Sequence, residues 1–183
     1  PLLRHLGRFV NGLPLGIELM ADWTRWLSLS AIAADLQTDL LQMERSQQDV
    51  PQRHRSLLAV FNYSWQMLTP EEQTTLAQLA VFRGSFQLDG FRAVTNSSPA
   101  ILFSLIDKSL VQHQTADYYT LHDLLRIFAG SKLAELALKA DALRDRHARH
   151  YLARLAHRTA DFFGHEPLKA LQQTQAEAEN LAR

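Results

Sequence analysis

Apolar residues recur at helical spacing from the start of the chain: Leu2, Leu3, Leu6, Phe9 and Val10 fall on one face. Asn11-Gly12 then supplies a helix-ending signal. Pro14 stands where a second helix begins, a position that loses nothing because a first-turn N–H has no partner inside the helix. This helix is predicted to reach about Leu27. Ser28 or Ser30 can cap a third, with Ile32, Leu36, Leu40 and Leu41 on its inner side. From Arg45 to Arg55 the chain turns polar (Ser46, Gln47, Gln48, Asp49, Pro51, Gln52), which reads as a linker between subdomains.

Past the linker, Leu58, Phe61, Trp65 and Leu68 share a helical face, and Thr69-Pro70-Glu71-Glu72 follows. Thr69 can accept from an orphan N–H, Pro70 fills the first helical position, and Glu72 can reach back as the capping-box partner. Leu76, Leu79 and Ala80 face inward until Arg83-Gly84 breaks the helix. A short helix covers Leu88 to Val94, the turn Asn96-Ser97-Ser98-Pro99 ends it, and another helix covers Ala100 to Lys108. Leu110 to His113 and Tyr118 to Leu121 then read as strands flanking Gln114-Thr115-Ala116-Asp117, a β-hairpin. Helix returns from Asp123 to about Leu138, and a longer one carries Leu143, Tyr151, Leu152 and Leu155. Gly164-His165-Glu166-Pro167 punctuates before a last helix from Leu168 to Arg183. Helices followed by a hairpin and another helix form the order of a winged helix. The fold class is therefore mainly α: a helical subdomain (1–46), a winged-helix domain with a small β-hairpin (47–138), and a helical extension (139–183).

Composition narrows the function classes. In 183 residues, 46% of them apolar, there is enough material for a real core. Nineteen basic and nineteen acidic residues cancel, so no whole-chain field favours nucleic acid or an anionic membrane. The absence of cysteine excludes disulfides, thiolate zinc sites and a cysteine nucleophile, and it fits a reducing, cytoplasmic location. No apolar run approaches the roughly 20 residues of a membrane span. Pro1 already lies inside a helical pattern, so the chain reads as a piece of a longer protein.

Taken in order, several segments resemble the C-terminal half of the nucleotide-binding module of bacterial signal-transduction ATPases with numerous domains, the NB-ARC-like group. "GLPLGIELM" resembles that family's Gly-x-Pro motif, and "HRSLLAVFNYSWQMLTPEEQTTLAQLAVFRGSF" the opening of its winged-helix domain. "LFSLIDKSLVQ" and "YYTLHDLLRIFAGSKL" resemble the wing region and the Met-His-Asp motif. "RDRHARHYLARLA" and "AEAENLAR" look like the bridge into a helical-repeat sensor domain. The resemblance covers essentially the whole chain. It implies that Pro14, flanked by Gly12 and Leu13, packs against adenine, and that His122, flanked by Leu121 and Asp123, contacts the β-phosphate of ADP. A proline ring offers a rigid apolar face, and a histidine can donate to a phosphate oxygen. One departure is that the motif's methionine is Leu121 here, apolar for apolar. No Gly-x-x-x-x-Gly-Lys-Ser/Thr occurs, so the phosphate-binding loop and the metal-holding acidic strand are expected upstream of Pro1.

The resemblance implies a regulatory, nucleotide-sensing part of a transcriptional or signalling regulator. ADP, or ATP with magnesium, would belong to the full-length protein, with none tightly bound to this piece alone. Its implied partners are an upstream nucleotide-binding domain and a downstream sensor domain, with self-association on activation. No catalytic residue and no metal ligand is expected. The bland readings are a helix-start turn at Gly12-Leu13-Pro14, an ordinary hydrogen-bonded His122, and Asp123 as the cap of the following helix. His147, His150 and His157 could chelate a metal but lack a completing carboxylate or cysteine. With Arg144, Arg146, Arg149, Arg154 and Arg158 they read as a solvated basic face. Trp23, Trp26, Phe61 and Trp65 read as a core stripe. The alternative function is a DNA-binding winged helix. Its recognition helix would be residues 99 to 110, "PAILFSLIDKSL", which carry one basic residue and a broad apolar face, so specific DNA binding is not expected.

Overall fold

The computed structural model describes residues 2–10, 12–46, 52–114, 117–136, 140–162, 171, 174–175 and 177–181. The Gln47–Pro51 stretch of the linker, the hairpin tip Thr115-Ala116, the Gly164–Pro167 punctuation and most of the last predicted helix lie outside them. The chain divides into two compact units, residues 1–69 and 70–183.

The first unit is helical: α1 Leu2–Phe9, α2 Pro14–Trp23, α3 Leu29–Ser46 and α4 Gln52–Gln66. α1 ends where the sequence places its stop. The Gly12 N–H returns to the Gly7 carbonyl at 2.8 Å, with Gly12 at φ 70°, a left-handed conformation that favours glycine. Pro14 is in the first turn of α2. This helix stops at Trp23, short of Leu27, because Thr24 turns its hydroxyl onto the Ala21 carbonyl (2.6 Å) and its N–H bonds Ala21 in a tightened turn. Ser28 Oγ accepts the Ala31 N–H at 3.2 Å, so Ser28 starts α3.

α3 packs on α1 and α4, and α4 on α2. Leu15, Leu19, Trp23, Ile32, Leu36, Val60 and Phe61 form the core, each large side chain contributing about 1.5–3 kcal/mol through burial. Tyr63 ties three helices together: its ring lies 4.6 Å from that of Trp23, and its hydroxyl donates to Asp35 at 2.9 Å. The predicted aromatic stripe needs one correction. Trp26 is 80% exposed, because α2 has already ended and the turn carries its ring outward. Leu68 is buried and Trp65 half-buried. α4 belongs with α2 and α3, whereas the sequence pattern had grouped it with the winged helix.

The second unit runs α5 Pro70–Gln78, a 3-10 turn Leu79–Val81, β1 Phe86–Gln87, α6 Leu88–Thr95, α7 Pro99–Asp107, β2 Gln112–His113, β3 Tyr118–Thr120, α8 Asp123–Glu135, α9 Ala140–Phe162 and a terminal turn α10, Ala178–Leu181. The strands form an antiparallel sheet in the order β1-β3-β2, with Phe86 opposite Tyr119 and His113 opposite the same Tyr119. Helix, strand, two helices and a hairpin whose inner strand pairs with the first strand make a winged helix. The hairpin was legible in sequence. β1 was not, since two residues give no alternation to read.

Phe82, Phe86, Phe91, Leu76, Leu79, Leu102, Leu105 and Leu125 fill the core beneath this sheet. Glu72 is buried, and its carboxylate ties α5 to α7, accepting from Ser104 Oγ (2.6 Å) and Lys108 Nζ (2.6 and 2.7 Å). Its capping-box reading did not foresee that role.

The arginine- and histidine-rich helix is also corrected. α9 packs on α6 rather than standing as a solvated basic face. The approach is close at Gly90, where any β-carbon would lie 3.2 Å from His150 Nε2. His147 rests edge-on against Phe82, ring centroids 5.2 Å apart, and Tyr151 is buried beside both. Arg146 donates to the Val94 carbonyl at 2.7 Å. Arg144, Arg149 and His157 do face solvent. Spacing alone could not separate the two halves of this helix surface.

Candidate functional site

Gly12, Leu13 and Pro14 form the exposed or half-exposed corner between α1 and α2. Leu13 takes an extended conformation at the N-cap without a side-chain bond, and its carbonyl receives the Ile17 N–H at 3.2 Å. The Pro14 ring is therefore presented at the surface of its unit. A residue of this motif that sequence reasoning passed over is Gly16. It is buried, and a β-carbon there would meet the Val10 side chain at 2.8 Å, so glycine is what lets α2 close over the end of α1.

Leu121, His122 and Asp123 join β3 to α8 in the second unit. Leu121 is buried, while His122 and Asp123 are exposed. The cap of α8 is His122, not Asp123 as the sequence reading had it. With φ −59° and ψ 138°, His122 places Nδ1 to accept the Leu124 N–H at 3.2 Å. Asp123 is already inside the helix and pairs with Arg126 at 2.8 Å. A ring that accepts through Nδ1 carries its proton on Nε2. His122 thus combines a fixed backbone attachment with a donor on an exposed ring.

α7 occupies the position of a recognition helix. Its buried side is Leu102 and Leu105, and its exposed positions are Ala100, Phe103 and Asp107. None of these offers a donor to a phosphate or a base edge. Lys108, just past its end, is bound to Glu72. The wing strands Gln112–His113 and Tyr118–Thr120 contain no lysine or arginine.

The densest polar network centres on Arg154, which is half-buried and paired, in contrast to its expected place on a solvated basic face. Arg154 on α9 donates to Gln87 (2.6 Å), to Asp89 and to both carboxylate oxygens of buried Glu177 (2.8 and 3.3 Å). Burial lowers the pKa of His147 and of His150; for His150 the Asp89 carboxylate partly offsets this. A cleft of about 1050 Å³ lies beside His147 and Asn180, lined also by Arg83, Arg126, Arg144, Asp141 and Asp145. Its charges largely cancel: Arg126 is paired with Asp123 and Arg144 with Asp141 at 3.1 Å. Among the described residues no group of three histidines or carboxylates could hold a metal ion, and no helix is long and apolar enough to cross a membrane.

No protein-family model matches the chain, and no solved structure does. Among curated sequences it is 33% identical over 150 residues to a "Putative HTH-type transcriptional regulator" of Mycobacterium tuberculosis and to its counterpart in Mycobacterium bovis. The match takes in 78% of this chain but 17% of those proteins. An "Uncharacterized protein" of Mycobacterium tuberculosis is 31% identical over 155 residues, again 78% of this chain and 39% of that protein. The chain thus spans well under half the length of these relatives.

Proposed function

We propose that the chain is a regulatory winged-helix segment of a bacterial transcriptional regulator, one that responds to nucleotide state and does not itself read DNA sequence. The names of the mycobacterial relatives, HTH-type transcriptional regulators, support the regulator part, and by themselves they favour the DNA-binding alternative over the nucleotide part. The observation that carries the DNA part is the outward face of α7, where Ala100, Phe103 and Asp107 stand in place of base-reading side chains. A winged helix whose recognition surface is apolar and acidic is suited to packing against protein. The nucleotide part rests on the resemblance of the Gly12-Leu13-Pro14 and Leu121-His122-Asp123 motifs, and it is supported by the exposed His122 ring with its Nε2 donor. In this reading the segment performs no chemistry. It lacks the lysine and backbone cradle that phosphoryl transfer requires.

Fluorescence anisotropy with labelled duplexes at physiological salt tests the DNA part. Weak, salt-sensitive binding that is indifferent to sequence is expected. Discrimination between duplexes by about a thousandfold or more, as specific binders show, would favour the DNA-binding alternative. The nucleotide part is tested by the ADP off-rate of the longer protein carrying His122→Asn. Loss of a hydrogen bond to a charged group, about 1.5–3 kcal/mol, should raise that rate roughly 10- to 150-fold. An unchanged off-rate in a folded variant would make His122 a helix cap and nothing more.

A further inference from the structure

Three features of the second unit meet at one place. β1 is an edge strand in the order β1-β3-β2, so among the described residues no strand covers its outer side. The Asn180 side chain occupies that edge. Its Oδ1 accepts the N–H groups of Arg83 (2.9 Å) and Gly84 (3.3 Å), and its Nδ2 donates to the Ser85 carbonyl at 2.7 Å. One buried carboxamide therefore does what a neighbouring strand would do, across 97 residues of sequence.

Three residues earlier, buried Glu177 is gripped by Arg154, the same guanidinium that holds Gln87 of β1 and Asp89 in the first turn of α6. Gly84 completes the fit, because a β-carbon there would lie 2.7 Å from Glu179 Oε2. Glu177 and Asn180 are thus both buried through polar contacts to the winged unit rather than through an apolar face. Such contacts are directional, and they are lost together once the segment moves.

We infer that residues 177–181 form a detachable clamp on the open edge of the winged helix, through which displacement of the chain at α10 is passed to the β1 entry loop and the head of α6. This goes beyond the proposed function and does not depend on nucleotide or DNA. The clamp opens as a local unit: loop 83–85 and the start of α6 loosen, while α5, α7 and α8 keep their packing. A short segment held chiefly by directional polar contacts belongs toward the low-stability end of a native structure.

Hydrogen exchange on the whole chain reads this directly at the amides of Arg83 and Gly84. In the native chain they should be protected, yet exchange faster than the core amides of α5. Asn180→Ala should speed them about tenfold or more, since three bonds are lost and each is worth roughly two- to tenfold, with α5 and α8 changed less than about twofold. Exchange at Arg83 and Gly84 that is already unprotected, that follows global unfolding, or that ignores the substitution would overturn the inference.

A second measurement does not rely on Asn180. The chain has no cysteine, and the β-carbon positions of residues 84 and 179 lie 3.0 Å apart, close to the roughly 3.5–4.5 Å of a disulfide. Gly84→Cys with Glu179→Cys should close an intramolecular bond on mild oxidation and suppress the local opening seen by exchange. Failure to cross-link, or an unchanged opening rate once linked, counts against the clamp.

Discussion

His122 and His147 lie in the same unit, yet the protein uses them in opposite ways. His122 stands in solvent at the head of α8, fixed by one bond to a backbone N–H. His147 lies against Phe82 on the inner side of α9, where burial disfavours its charged form. In sequence the assignments ran the other way in emphasis: the cluster around His147 read as solvated, and His122 as a group facing bound phosphate. The contrast teaches that local sequence can report the backbone position of a side chain, strand end or helix start. It does not report what a distant element lays on top of it.

The sharpest way to break the buried side of this comparison is Arg154→Met. Arg154 is 22% exposed and Glu177 3%, so the substitution strands a buried carboxylate. Breaking a buried pair from one side costs about 3–5 kcal/mol, and partial access of water to Arg154 places the expected loss near the lower value. Urea denaturation should show the midpoint falling. A loss below roughly 1 kcal/mol would mean that Glu177 is released to solvent without disturbing the unit, which is itself what an easily opened clamp would do. Exchange at Gly84 in the same variant separates the two.

Lys108→Met should have a smaller effect. Glu72 is 7% exposed, but Lys108 is 37% exposed, and water can reach the carboxylate once the ammonium is gone. Ser104 also remains as a donor. A loss of about 1–2 kcal/mol in the same assay is expected. It should not alter DNA binding, since this lysine is turned onto α5 and not outward.

Acid provides a third probe. His147 and His150 have pKa values lowered from the ordinary 6.5, chiefly by burial. The unfolded chain therefore binds more protons than the folded one between the lowered values and 6.5, and stability rises with pH across that window. The contribution is fully present above 6.5 and is lost as the pH falls below it. Denaturation midpoints at pH 7.5 and pH 5 should differ in that sense, and His147→Phe should shrink the difference. Equal pH dependence in the variant would show that His147 does not carry it.

How far the sequence could be read follows the same line. Gly12, Pro14, Ser28 and the Pro70 helix start were legible because each acts within one turn of its own position. The hairpin was legible from its own residues, while β1 needed β3 as partner. Trp26 was misplaced because a single hydroxyl, that of Thr24, helps end α2 one turn early. Glu177 and Asn180 lie in the closing Ala-Glu-Ala-Glu-Asn-Leu stretch, yet their partners at Arg154 and at the Arg83–Ser85 loop are far away in sequence. No local pattern could have named them.

The smallest effects on stability lie at His122 and concern the exposed side of the comparison. As an N-cap, His122 satisfies one N–H at the start of α8 through Nδ1. His122→Ala removes that acceptor and should cost about 0.5–1 kcal/mol, toward the low end because the site is exposed. His122→Asn supplies a side chain of the preferred capping type, so its stability should stay within a few tenths of a kcal/mol of the native chain or slightly exceed it. The two variants therefore part on stability while both lack the imidazole. If a nucleotide phosphate is the ring's partner, they should agree on nucleotide release, both fast. If His122 is only a cap, release should follow stability, with the alanine variant altered and the asparagine variant native. Measuring urea midpoints and ADP off-rates on the same pair of variants decides between these patterns.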